Sequence, residues 1–521
     1  MTPGAYDAIV VGAGHNGLVT ATYLAKSGLR TLVLERSEST GGCAATEELW
    51  PGHHVDVGAH ETNGLDRRVT ADLGLERAGL RLIPMDPMVR ALQPDGPDLE
   101  LWRDPGLCAE AIRPFSVRDA ERWGGFVEAM GRAGKTLAVL HEAAPPVIPG
   151  AGRAELIELA RLGLRLGRIG RGDALELTRL LPMTIQELLE EWFEHDALLG
   201  SLAALGCRGV LQGPMAAGTA YVFLRSLVSD GGPRSASWVC GGMARLGVVL
   251  SDVARAAGVE VRTGARVGRI LVEDGAVRGV ELESGETVDA GVVASSADPV
   301  HTLLGLVDPA HLDPEFVRDV GNIRIQGACA KVHLALDGLP GSDTTPAASM
   351  CLAPSIRYLE RAYDDAKYGR VSTDPHLEVL VPSVLDPSVA PDGRHVASVL
   401  FQYAPRELRE GSWDDEARAS LADAAIGALD RCVPGFAERV TDRHVSTPAD
   451  LEARFGLTGG HMHHGEMTLD QSFLGRPVPG WTRYEMPVRG LYLCGAGAHP
   501  GGGLTGTPGA NAARAITRRR R

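Results

Sequence analysis

The first 35 residues constrain this chain more than any other segment. Ala8–Val11 is a short apolar run suited to a buried parallel strand. Gly12-Ala13-Gly14-His15-Asn16-Gly17 follows at once, and Leu18–Ser27 then carries helical periodicity up to Gly28. A second apolar run, Thr31–Leu34, ends in Glu35. Each glycine has a physical task in such a unit. Gly12 permits a tight turn, Gly14 lets a pyrophosphate approach the backbone, and Gly17 lets helix and strand pack closely. The phosphates then meet the free N–H groups of a helix N-terminus. Glu35 stands where a carboxylate accepts hydrogen bonds from an adenosine ribose. His15 is expected to be a plain loop residue. Strand, glycines, helix, strand and acid in this order predict a Rossmann-like α/β domain that holds a dinucleotide.

At 521 residues the chain exceeds what one hydrophobic core usually serves, so a second domain is expected. The net charge of −14 is spread along the chain, which argues against a nucleic-acid partner. The one basic run, Arg518–Arg521, suits a solvated helix end. Met1–Ala5 leads straight into a strand, and no apolar run reaches the ~18 residues needed to span a bilayer, so a cytoplasmic protein is expected. The eight cysteines form no C-x-x-C pair and no zinc-ligand spacing. They read as free thiols in a reducing compartment, which removes dithiol redox chemistry.

Three further blocks bear on the cofactor. After Glu35 come Arg36-Ser37-Glu38-Ser39-Thr40-Gly41-Gly42. Within residues 241–298, a helical stretch (Met243–Ala256) leads to extended runs at Val259–Arg262, Val267–Val272 and Ala276–Glu283. Turns at Asp274-Gly275 and Ser284-Gly285 make this a hairpin meander, and Val292–Ala294 is a buried-looking strand. The third block runs Gly490-Leu491-Tyr492-Leu493-Cys494-Gly495-Ala496-Gly497 and on through Gly501-Gly502-Gly503 to Gly506, before a helix. Here a strand delivers glycine backbone that can approach a flat ring, and a helix N-terminus adds partial positive charge.

These blocks resemble the amine oxidase and phytoene desaturase superfamily of flavoproteins, in particular its phytoene desaturase-like group. The likeness covers most of the chain and implies FAD as the cofactor. It implies that Arg36 and the Gly41-Gly42 backbone lie along the pyrophosphate and flavin, and that the backbone of Val267 contacts the adenine. It also implies that the motif from Gly495 to Gly506 meets the flavin or ribityl chain. Many members carry Arg after the Gly pair, where this chain has Cys43. Gly501–Gly506 contains only Leu and Thr besides Gly, with no cysteine of the kind that tethers flavin, so FAD is expected to be noncovalent.

The expected architecture is an FAD-binding α/β domain assembled from residues 1–75, 231–302 and 485–521, plus an α+β substrate domain from 76–230 and 303–484. No second strand–G-x-G-x-x-G–helix unit exists for NAD(P)H, which favours oxygen, a quinone or another external electron acceptor. Leu156–Arg171 sets leucines against arginines at helical spacing. It reads as a surface helix with its apolar face on the core, or as a peripheral membrane contact. Met183–Leu202 reads as a second helical region, placed in the core.

Thr458–Glu466 holds Gly459-Gly460 and the cluster His461, His463 and His464, with Glu466 as its only nearby acid. Metal binding is disfavoured, because neighbouring imidazoles on one loop rarely reach one ion. The flexible Gly-Gly entry and an extended run placing His461 and His463 on one face make those two the candidate proton-transfer groups near neutral pH. In the resembling family, a Gly-Gly loop before the terminal flavin motif lines the substrate cavity. The leading activity is hydride removal from a mostly apolar, lipophilic substrate. Amine or imine oxidation, isomerisation with reduced flavin, and a non-catalytic flavin-bound scaffold stay open as alternatives.

Overall fold

The computed structural model describes residues 6–61, 65–146, 153–228, 236–340 and 347–519. At its centre is a five-stranded parallel sheet. β1 (Ala8–Val11) occupies the middle position, with β2 (Thr31–Leu34) and then Glu260–Arg262 on one side. Val293–Ser295 and then Leu491–Leu493 lie on the other. Every pairing in it is parallel. All residues of β1 and β2 are buried, as near-continuous apolar runs in a covered parallel sheet should be. α1 (His15–Lys26) packs against Ala244–Ala256 and Thr507–Arg519. The antiparallel meander Val267–Glu273, Ala276–Leu282 and Thr287–Asp289 joins the same hydrophobic core.

A second sheet has seven strands, in the order Val440–Ser446, Cys329–Leu336, His395–Gln402, His376–Leu380, Ser349–Leu352, Val89–Leu92 and Leu99–Leu101. Its pairs are antiparallel except Ser349–Leu352 with Val89–Leu92. Beside it the helices Val117–Glu142, Asp196–Cys207 and Thr219–Ser226 enclose an aromatic cluster that includes Trp123, Phe126 and Phe223.

Several local expectations change. The region at 183–202 is two helices, Ile185–Glu190 and Asp196–Cys207, because Thr184 starts one with a capping box and His195 accepts the Ala197 N–H to start the next. The basic amphipathic stretch forms Arg153–Ile169, stopped by Gly170 at φ 119°, after which Arg171–Leu180 begins. Its leucines do not all face the core: Leu156, Ile157 and Leu164 are 55%, 53% and 66% exposed. The strand expected at 292–294 is Val293–Ser295. Arg518 and Arg519 are ion-paired with Glu158 and Glu485, while positions 520–521 lie outside the described residues. Among the described residues no helix is long and apolar enough to cross a membrane.

Candidate functional site

The crevice begins where β1 ends. Gly12 turns the chain at φ 91°, and a Cβ on Gly17 would stand 2.1 Å from Gly12 O. Glycine at 17 is therefore required by the closeness of helix and strand. A Cβ on Gly14 would meet nothing within 4 Å. That space lies over the start of α1, whose N-cap is Gly14, with no side-chain cap and no acid in its first turn. Uncapped N–H groups facing open space are an anion site in waiting. His15 is not a loop residue: it opens α1, and its Nε2 lies 3.2 Å from Gly503 O. Burial pushes this imidazole down to about 4.

Glu35 stands at the end of β2, buried, with Oε2 accepting from Ala13 N at 2.7 Å and Oε1 from Ser37 N at 2.9 Å. A carboxylate has about four acceptor positions, so both oxygens keep capacity for a further donor. Gly264 N and Ala265 N donate to Ser37 O and Glu35 O, which brings Val267 two residues beyond that junction. Gly41 is bridged to Gly14, and a Cβ on Gly42 would approach Gly14 Cα to 3.1 Å. Arg36 turns the other way: its Nη2 donates to Arg454 O at 2.5 Å, beside the C-terminus of the helix Pro448–Phe455.

The terminal motif follows the edge strand. A Cβ on Gly495 would lie 2.2 Å from Ser296 O, while Gly506 takes φ 74° against Val19 and Val69. Between them the Gly501–Gly503 loop forms a wall of a cavity of about 280 Å³, with Arg208, Arg225, His141 and His463 around it. The open space at Gly14, the uncapped helix and this glycine wall fit the phosphates and the ring of a flavin dinucleotide.

The structure brings His461 and His463 together, ring centroids 6.0 Å apart, but not by the expected route. The segment is a turn, with His464 N donating to His461 O and His464 at φ 56°. Nor are Gly459 and Gly460 a flexible entry. Cβ atoms there would lie 2.2 Å from Ile325 O and 2.1 Å from Pro448 O, so they are glycine because backbones meet there. His461 is fully buried, its Nδ1 accepting from His463 N and its Nε2 standing 3.4 Å from Glu466 Oε1. His463 is wedged between Gly209 and Gly502, whose Cβ atoms would come within 2.7 and 2.4 Å of its ring. Burial, reinforced by Arg225, holds His463 well below the usual imidazole range, and burial takes His464 down to about 4. These two rings titrate well below neutrality, contrary to expectation. Glu466 is also not the only acid: Asp298 accepts from the Thr458 hydroxyl at 2.8 Å and opposes the drop at His464.

Arg476 and Lys331 also escaped sequence reasoning. Arg476, fully buried, gives all its donors to backbone carbonyls: Nε and Nη2 to Ala496, Nη1 to Glu466 and Gln471, Nη2 to His463 and Gly465. It clamps the histidine turn to the terminal glycine motif. Burial takes its guanidinium down to about 9. Lys331, on the strand Cys329–Leu336, donates from Nζ to Asp56 O at 2.5 Å and Ala59 O at 3.1 Å. Burial lowers it to about 8, and Cys43 and Asp56 lie close enough to oppose that shift. It ties the second sheet to the segment beside the Gly41–Cys43 turn, where Ala59 N donates to Cys43 O. The surrounding CAKVHLAL reads only as a buried strand, so a signal for this lysine was one charge inside an apolar run.

The flavin containing amine oxidoreductase family model matches residues 17–516. Pyridine nucleotide-disulfide oxidoreductase domain-containing protein 2 of Rattus norvegicus is 35% identical, the match covering 98% of this chain and 93% of that protein. A lycopene-forming phytoene desaturase from a Paracoccus species is 24% identical over 98% of this chain and 96% of its own length. Among solved structures, an oxidoreductase from Methanosarcina mazei superposes with a TM-score of 0.62 at 19% identity, covering 98% of this chain and 99% of that one.

Proposed function

The chain is an FAD-dependent oxidoreductase of the flavin containing amine oxidoreductase family, and we propose that it removes hydride from a carbon of a largely apolar organic substrate. In that reading residues 1–75, 231–302 and 485–521 carry the cofactor, and the remaining segments shape the substrate cavity. Gly12, Gly14 and Gly17 would hold the pyrophosphate, Glu35 the ribose, and Val267 the adenine. Gly41, Gly42 and the Gly495–Gly506 motif would meet the ribityl chain and ring. FAD supplies the two-electron acceptor when bound. The protein's part is to place the substrate, keep water out and take the proton that leaves when the substrate gains a double bond.

The observation that carries the reading is the cavity wall itself. The Gly501–Gly503 loop and His463 line one volume, and Arg476 ties the His463 carbonyl to Ala496 earlier in the same glycine motif. The His463 ring is neutral at pH 7 and has a lone pair for a proton, but the burial and the Arg225 charge that lower its pKa make it a weak base. Among the described residues no Trp, Tyr or Phe lines this cavity, and four arginines do. An ammonium substrate would meet repulsion and no aromatic cage, which weighs against amine oxidation. The eight free cysteines suit a cytoplasmic enzyme. The exposed Leu156, Ile157 and Leu164, on a helix that also carries Arg161, Arg165 and Arg168, support peripheral contact with a lipid surface that delivers the substrate.

The test is an anaerobic screen of candidate substrates for bleaching of the flavin band, repeated with His461→Ala and His463→Ala. Loss of a general base should slow reduction by about 10²-fold or more with the FAD spectrum intact. Wild-type reduction rates in both variants would make the turn peripheral, and loss of FAD in both would make it structural.

A further inference from the structure

Arg225 is a cation in the cavity that hydride transfer leaves without a task. It lies in the last turn of the helix Thr219–Ser226 and donates from Nη2 to Gly502 O at 2.6 Å. Its Nε is buried without a partner, and among the described residues no carboxylate pairs with it. Arg208 and Arg68, in the same region, have carboxylate counter-charges, although Arg208 Nε is also buried without a partner. Arg208 closes on Glu61 and Glu378, and Arg68 closes on Asp66 and Glu142. A half-buried guanidinium with a buried, unpartnered Nε and no counter-charge is penalised, and a ligand that pairs with it would relieve that cost.

The surroundings are consistent with an anion. His141 Nε2 and His463 Nδ1 are also buried without partners, and both rings line the same cavity. Arg225 lies near enough to both imidazoles to lower their pKa values. A guanidinium edge and two ring nitrogens therefore converge on one volume. The acids at its rim, Asp66 and Glu142, are both taken by Arg68.

We propose that this cavity receives the anionic head of the organic substrate, a carboxylate or phosphate, which pairs with Arg225. The proposal rests on the reading of the cavity as the substrate's. It narrows the substrate to an apolar body with an acidic end, and the Arg225–Gly502 contact sets that end beside the glycine wall.

The test uses FAD-saturated protein and calorimetric titration with two matched series, n-alkanoates and n-alkanols. Alkanoates should bind at least ~10-fold tighter than alkanols of equal length, as expected when a charge-assisted hydrogen bond is gained. Arg225→Leu should abolish that preference while leaving FAD content and alkanol binding unchanged, and Arg225→Lys should restore part of it. Equal binding of the two series, or an unchanged preference in Arg225→Leu, would overturn the proposal. Loss of FAD from Arg225→Leu would overturn it too, by assigning the cation to the cofactor's phosphates or its loop. Calorimetry does not depend on turnover. Alkanoate binding to a protein whose flavin no substrate reduces would sink the proposed reaction and keep the subsite. Flavin reduction by a neutral hydrocarbon, together with equal binding of alkanoates and alkanols, would do the reverse.

Discussion

Replacing Glu35 by alanine should separate two roles of one carboxylate. Glu35 Oε2 is the acceptor for the buried Ala13 N–H, inside the Gly12–Gly17 loop, and Oε1 holds the less buried Ser37 N–H. Water can replace the second acceptor but not the first. Orphaning a buried donor costs about 1–3 kcal/mol, so apoprotein melting should fall by several degrees, at about 2–4 °C per kcal/mol for domains of ordinary size. FAD affinity should fall further, because the ribose loses a charge-assisted bond of roughly 1.5–3 kcal/mol. That is about one to two decades in Kd. Glu35→Gln keeps one oxygen for Ala13 N–H but turns an NH₂ group towards its other contacts. It should therefore retain most of the apoprotein stability and lose most of the affinity. Quenching of FAD fluorescence by deflavinated protein gives the Kd, and melting without FAD gives the stability. An alanine variant that binds FAD within about threefold of wild type would refute the ribose role. Equal loss of stability in both variants would refute the loop role.

Three further outcomes are expected. Arg476→Met leaves the carbonyls of His463, Gly465, Glu466, Gln471 and Ala496 without their donor and should destabilise the protein by about 3–5 kcal/mol, read by denaturant unfolding. His15, His464 and His499 are each held to about 4 by burial. Their folded values lie below the unfolded one, so the stability tied to their neutral forms is complete above about pH 6.5 and is lost as pH falls towards 4. Melting temperature should drop across that window, with protons taken up on unfolding at pH 5; a flat profile would contradict the burial of these rings. FAD should leave with acid or heat denaturation, and a flavin that stays on the precipitate would show a covalent tether.

The parts legible in the sequence are those coded locally. The β1–α1–β2 unit, the meander from Val267 and the terminal strand each announce themselves through periodicity and glycine spacing. The histidine cluster was visible as composition, but its shape was not. Gly459 and Gly460 look like a hinge until Ile325 O and Pro448 O are seen pressing on them. Asp298, Arg225, Lys331 and Arg476 reach the site from distant positions, each within a segment whose pattern describes only its own helix, strand or loop. Side-chain pairing across such separations leaves no periodic trace in one chain.

The order of the central sheet also determines when the molecule can become a flavoprotein. Leu491–Leu493 must dock on Val293–Ser295 before Gly495–Gly506 can close over the crevice. A ribosome working at ~5–20 residues per second needs roughly half a minute to a minute and a half to travel from Glu35 to Leu491. Through that interval the dinucleotide loop exists without its far wall, and Val293–Ser295 presents an open, apolar edge of the kind that recruits other strands. FAD can be fully enclosed only by a chain whose edge strand Leu491–Leu493 has arrived, and until then the unpaired edge of Val293–Ser295 is an aggregation hazard.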